Sequence, residues 1–350
     1  MSGLPSHEVS WRRGTGYRGN HAFTGSTPND GPSRKSVDVQ GGPRRPEDLR
    51  GSAGERQGRQ RVAEGIGQEM EVWSSHEREE ILGQNEPIRP EKTIPILYVC
   101  YDGTGVPMTQ EELRGRKGKQ ADGSAKTREA KLGCVFTQTT TDAKGFPVRD
   151  PESTSFVGAI ESAEKFGWRI YGEAVRRGLA KAQRIVVLGD GADWVKNLAE
   201  MHFPEATRII DLYHARQHVS GLCKILFATN EKKLCQQRIR WWTDLDAGKV
   251  EKILRQAQEE LPKDSEARKK AQGEINYLKK NKERMRYATF RAQGLFVGSG
   301  VVEAGCKTII GHRLKQSGME WSTRGANAII SSRCMIKSNR FEDFWESRTA

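Results

Sequence analysis

The chain has 350 residues, 35% of them hydrophobic, and a formal net charge of +13. That length accommodates one large domain or two modest ones, and no apolar run approaches the roughly 18 residues of a spanning helix, so no membrane association is expected. The amino terminus lacks an apolar signal core and the six cysteines form no Cys-x-x-Cys pair. Secretion, a disulfide scaffold and a zinc knuckle are therefore not expected, and a cytoplasmic protein with reduced thiols is. The excess of positive charge favours polyanionic partners.

Residues 1–61 contain 11 Gly, 10 Arg and 5 Pro but only 5 of the Val/Ile/Leu type. Such a stretch buries too little apolar surface to offset the entropy of ordering, and is read as a disordered low-complexity tail. Residues 62–92 are read as a charged helical lead-in, closed by Pro87 and Pro90. A core is expected over 93–211. It opens with IPILYVCYDGTG, an apolar run ending at Asp102 and a Gly-rich turn. A polar, basic loop spans 106–129, and Thr, Val and Phe over 131–141 predict a second strand. After the turn DAKG, a short third strand near Phe146–Arg149 completes a hairpin meander.

Phe156, Ile160, Ala163, Gly167, Ile170 and Ala174 recur at helical spacing, with Ser153 to Ser155 as the cap and Gly178 as the stop. RIVVLGD is a buried strand ending at Asp190. A short helix over 193–202 turns Trp194, Leu198 and Met201 inward, and TRIID is a further strand ending at Asp211. Residues 212–298 hold no strand pattern and are read as a helical insertion, with Trp241 and Trp242 in its core. Residues 299–350 return to the core: a helix carrying Glu303 after a Gly-Ser-Gly break, then two closing helices. The order of elements predicts an α/β protein, with an RNase H-like mixed sheet, flanking helices and an all-α insertion before the last catalytic helix.

In that fold, acids at the ends of the first and fourth strands meet at one sheet edge. Cleaving or joining a phosphodiester needs an activated attacking oxygen and a stabilised leaving oxygen, which two Mg²⁺ ions about 3.5–4 Å apart supply. Mg²⁺ prefers oxygen ligands and uses few carboxylates. Asp102 is expected to bridge the ions, with Asp190 on one and Glu303 on the other, and Mn²⁺ as a substitute. An Asp beyond a strand is more often a solvated turn, so the combination carries the reading.

Asp211 and His214 are candidate support for this site, against the plain reading of Asp211 as a helix N-cap. His214 and His218 lie four apart, but HARQH lacks the glutamate of the zinc-hydrolase pattern. Lys307, Arg313 and Lys315 follow Glu303 and are candidate DNA-phosphate contacts, against a solvated face with a Glu303–Lys307 pair. Trp321 is read as packing, with base stacking as its functional alternative.

The blocks YDGTGVPM, KTREAKLGCVFTQTT, RDPESTSFVGAIESAEKFG, LGDGADWVKNLAEMHFP, IIDLYHARQHV, LFVGSGVVEAGCKTIIGHRLKQSGMEWSTRGANAII and FEDFW together resemble bacterial insertion-sequence transposases of the Kra type, relatives of the Mutator-like DDE superfamily. The resemblance covers about residues 62–350. It implies the RNase H-like fold, two divalent ions, strand cleavage and transfer on double-stranded DNA, and a homo-oligomer on that DNA. It places the acidic triad on Asp102, Asp190 and Glu303, and a Cys/Asp-x-x-His element on Asp211 and His214. The stretch before residue 62 does not resemble the DNA-binding region that full-length members carry, so a truncated copy with lost end recognition is expected. Competing readings are an inactive transposase-derived DNA-binding protein, a sugar-kinase-like ATPase, and a haloacid-dehalogenase-like phosphatase, suggested by LGDGADW. The phosphatase needs an aspartate where this chain has Cys100.

Overall fold

The computed structural model describes residues 53–83, 93–118 and 120–348. Of the expected tail over 1–61, residues 1–52 lie outside the described residues, as does the break at Pro87 and Pro90. Helix α1 (Ala53–Gly83) begins inside the stretch read as tail. Its first turns are rich in Glu, Gln and Arg, straight side chains that lose little rotamer freedom in a helix. Further along, Met70 is buried against Met335 and Phe344, beside Ile66 and Trp73.

The strands are β1 (Ile94–Pro107), β2 (Thr127–Gln138), β3 (Thr140–Thr141), β4 (Pro147–Val148), β5 (Ser155–Ala159), β6 (Ala182–Gly189) and β7 (Thr207–Ile210). Five of them form one sheet in the order β5-β2-β1-β6-β7. The β5, β2 and β1 strands pair antiparallel, and β1, β6 and β7 pair parallel. Both faces of β1 are covered, which is why it reads as a continuous apolar run. Tyr98 and Cys100 point into one core with Leu132 and Phe136, while Leu97, Val99 and Tyr101 point into a second with Phe166 and Ile170.

Four local readings within the core are corrected. The third strand of the main sheet is Ser155–Ala159, whereas Pro147–Val148 within the expected strand pairs only with Thr140–Thr141, in a separate ribbon. Phe156 and Ile160 therefore lie outside the helix to which their spacing assigned them. After the short helix α2 (Gln110–Leu113), helix α3 spans Ala163–Arg176, and the Ser162 side chain, not Ser153 to Ser155, accepts from the Lys165 N–H at 3.3 Å. A four-residue step cannot tell a helical face from a strand followed by a helix. The distinguishing residue is Gly158, where a first side-chain carbon would stand 2.9 Å from Leu132 Cδ1 on β2. The third correction is Met201, which is 64% exposed; its helix α4 (Asp193–His202) instead buries Val195, Leu198, Ala199 and His202. Strand β1 also continues past Asp102 to Pro107, so the Gly-rich segment is extended and paired with β2 rather than a turn.

Beyond β7 come α5 (Leu212–Leu226), α6 (Glu231–Asp246), α7 (Val250–Glu259), α8 (Ser265–Asn281) and α9 (Tyr287–Ala292). This helical excursion leaves and returns at one point: the Leu212 N–H donates to the Val297 carbonyl at 2.9 Å. Then follow α10 (Gly300–Gly305), a π-helical stretch Cys306–Gly311, a short turn of helix at His312–Leu314, and two closing helices, Thr323–Lys337 and Phe341–Glu346. The first of these closing helices lies directly on α1. A first side-chain carbon at Gly67 would sit 2.2 Å from the Ala328 carbonyl oxygen, so glycine sets that close approach. Among the described residues no helix is long and apolar enough to cross a membrane.

Candidate acidic site at the sheet edge

Strands β1 and β6 are parallel neighbours, with Cys100 opposite Leu188. Two residues further along each chain stand Asp102 and Asp190, so the register itself carries both acids to the same edge. Asp102 accepts from the Gly103 N–H at 2.7 Å, and Asp190 accepts from the Ala192 N–H at 2.9 Å across the left-handed Gly191. Asp211, 1% exposed, stands at the end of β7 and caps α5 by accepting from the His214 N–H at 2.7 Å. Its other oxygen accepts from the Ser299 N–H at 2.6 Å. The N-cap reading of Asp211 thus holds, and the same carboxylate also ties the start of α10 to the sheet.

Ser299 was not singled out in the sequence beyond its Gly-Ser-Gly break. Its Oγ lies 2.9 Å from Asp211 and 3.0 Å from Glu303 Oε1, and its single hydrogen serves one of them at a time. Glu303 is thereby oriented by a hydroxyl held on a buried acid.

Asp102, Asp190, Asp211, Glu303 and His214 line one cavity of about 220 Å³, together with Tyr101, Tyr213, Gln217 and Ser299. Among the described residues, none of these four carboxylates forms a salt bridge. Burial pushes the Asp102 carboxyl above the usual carboxylate range, opposed by the Gly103 N–H and reinforced by the negative charges of Asp190 and Glu303. The cavity therefore gathers acidic groups that no cation among the described residues pairs.

The exposed cations stand nearby but do not line the cavity. Lys315 donates to the Thr104 hydroxyl, two residues along β1 from Asp102. Lys307 and Arg313 are exposed, and no Glu303–Lys307 contact forms among the described residues. Trp321 packs, 9% exposed, with its N–H on the Leu314 carbonyl, and Trp241 is fully buried.

The donor set suits a hard cation: carboxylate oxygens without a competing guanidinium or ammonium group. Asp190 and Glu303 each have one oxygen hydrogen-bonded and one without a hydrogen-bond partner among the described residues. These residues share a cavity rather than a closed cage, for among the described residues no group of three His, Cys, Asp or Glu stands arranged to hold a metal ion. The two ring nitrogens of His218 face different partners, His214 at 3.2 Å and Glu274 at 2.6 Å.

No curated protein matches the chain. Among solved structures it is similar to the Drosophila P element transposase strand transfer complex, at 10% identity and a TM-score of 0.22, over 70% of this chain and 65% of that one. The chain thus spans less than two thirds of that protein, and a likeness at this score carries no argument about function. The profile described as "Uncharacterised protein family (UPF0236)" matches residues 164–342, a span that takes in Asp190, Asp211, His214 and Glu303. On that match, which covers more than half of its length, the chain belongs to the UPF0236 family.

Proposed function

We propose that this chain is the catalytic part of a DDE transposase with an RNase H-like fold, of the Kra insertion-sequence type, cleaving and joining double-stranded DNA. The observation that carries the reading is the cavity where Asp102, Asp190, Asp211 and Glu303 meet with no Lys or Arg among the described residues that line it. The sheet order supports it, with an antiparallel β5-β2-β1 group continuing into parallel β6 and β7 and the acids at adjoining strands. The phosphatase alternative is disfavoured because its nucleophile position holds Cys100, a thiol 1% exposed within the sheet.

Asp102, Asp190 and Glu303 would hold Mg²⁺, or Mn²⁺ in its place. Bound there, such ions supply activation of the attacking oxygen and stabilisation of the leaving one. The chain's own residues do the rest. Asp211 and Ser299 fix the approach of Glu303. His214 faces the phosphodiester from the wall of the cavity. Lys307, Arg313 and Lys315 attract the duplex backbone and offset the repulsion between the acids and the phosphates. A homo-oligomer would pair two DNA ends.

The test is nicking of supercoiled plasmid DNA by the purified full chain in Mn²⁺ or Mg²⁺, alongside Asp190→Asn. Nicking that requires the divalent ion and disappears in the variant is the expected result. DNA binding without nicking under any divalent ion would overturn the enzymatic reading in favour of an inactive DNA-binding protein.

A further inference from the structure

The helical insertion reaches the acidic cavity through one turn of α8. Glu274 and Tyr277 are three apart, on the same helix face. Glu274 Oε2 lies 2.6 Å from His218 Nδ1, and a carboxylate so close takes the hydrogen of that nitrogen. The Nε2 atoms of His218 and His214 then meet at 3.2 Å. Two ring nitrogens facing each other share one hydrogen between them, so the state of one ring fixes that of the other. The Tyr277 ring stacks on His218, with centroids 3.6 Å apart and planes 17° from parallel. Its hydroxyl donates to the main-chain carbonyl of Asp190 at 2.7 Å. Gly191 leaves room for that contact: a first side-chain carbon there would lie 2.8 Å from the Tyr277 hydroxyl oxygen.

The geometry points to Glu274, His218 and Tyr277 as positioning residues of the acidic site, acting through His214 and the Asp190 main chain. Glu274 orients His218, and His218 holds the His214 ring at the cavity wall with one nitrogen engaged and the other left to accept a hydrogen from a water. Tyr277 clamps the same imidazole and the turn that carries Asp190. The insertion is thereby part of the site rather than an ornament on it. This inference rests on the DNA-cleavage reading for its chemistry, but the hydrogen-bond chain is tested independently of cleavage.

The experiment combines ¹⁵N spectra of the imidazole groups, histidine-labelled in the full chain, with plasmid nicking. Glu274→Ala is expected to change the His214 and His218 ring signals together, with Glu274→Gln restoring part of the pattern. Unchanged His214 signals in Glu274→Ala would overturn the proposal whether or not the protein nicks DNA. In the nicking assay, His218→Gln is expected to reduce kcat at least tenfold in the wild-type background and by less than twofold in His214→Ala, with KM for the plasmid unchanged. An equal loss in both backgrounds would show that His218 does not act through His214. Absence of nicking in every protein, with the coupled ring signals intact, would remove the cleavage reading and leave the positioning chain standing.

Discussion

Acidic side chains gather in two places, and their surroundings are opposite. Between α1 and α3, Arg169 holds Glu161 at 2.7 Å and Glu71 at 2.7 Å. Nearby, Arg176 holds Glu173 at 2.5 Å and Arg340 holds Glu77 at 2.6 Å. At the sheet edge, Asp102, Asp190, Asp211 and Glu303 share a cavity with no such partner among the described residues. Burying charge is costly unless it is paired. The first group meets that cost internally and serves to dock α1. In the second, Asp211 is buried on hydrogen bonds alone, Asp102 and Asp190 are half-buried and Glu303 is exposed, so the acids stay open to a cation from solution.

The contrast can be broken most directly at its unpaired side. Asp102→Asn is expected to lower divalent-dependent nicking on the order of a hundredfold or more while leaving the circular-dichroism spectrum unchanged. Loss of fold along with activity would make Asp102 structural. On the paired side, Arg169→Ala strands Glu161 and Glu71 and should destabilise the protein by about 3–5 kcal/mol in denaturant titration. An unchanged midpoint would mean that this network contributes nothing to docking α1.

A smaller effect is expected at the rim. Lys315→Ala should weaken duplex binding at all sequences alike and reduce the slope of log K against log salt by about 1. A slope equal to wild type would remove Lys315 from the DNA contact.

The smallest effect concerns stability against pH. The Asp102 carboxyl is raised in the folded state, so between its ordinary and its raised value the native protein binds more protons than the unfolded chain. Stability contributed by this group is therefore lost as pH rises through that window. Asp102→Asn should match wild type in acid and melt slightly higher at neutral pH, and Mn²⁺ should stabilise wild type but not the variant. Melting curves that fail to diverge with pH would show that the crowding of acids is relieved in solution.

Much of this site was legible because its acids stand beside local signals. Asp102 and Asp190 each terminate an apolar run and precede a glycine, and Glu303 follows a Gly-Ser-Gly break. What escaped was long-range. Ser299 matters through Asp211, and Glu274 and Tyr277 matter through His218 and Asp190, partners far apart in the chain. In the fold, the apolar strands of the centre were readable. The edge strand β5 was not, because Phe156 and Ile160 sit at a spacing shared by helix and strand-plus-helix.

The neck at Leu212 and Val297, where the helical excursion departs and rejoins, gives the architecture a modular seam. That seam does not insulate the carboxylates, because α5 and α8 reach back across it, the His214 N–H to Asp211 and the Tyr277 hydroxyl to the Asp190 carbonyl. Trimming the excursion back to its neck would therefore loosen the turn at Asp190 together with the paired imidazoles that α8 steadies.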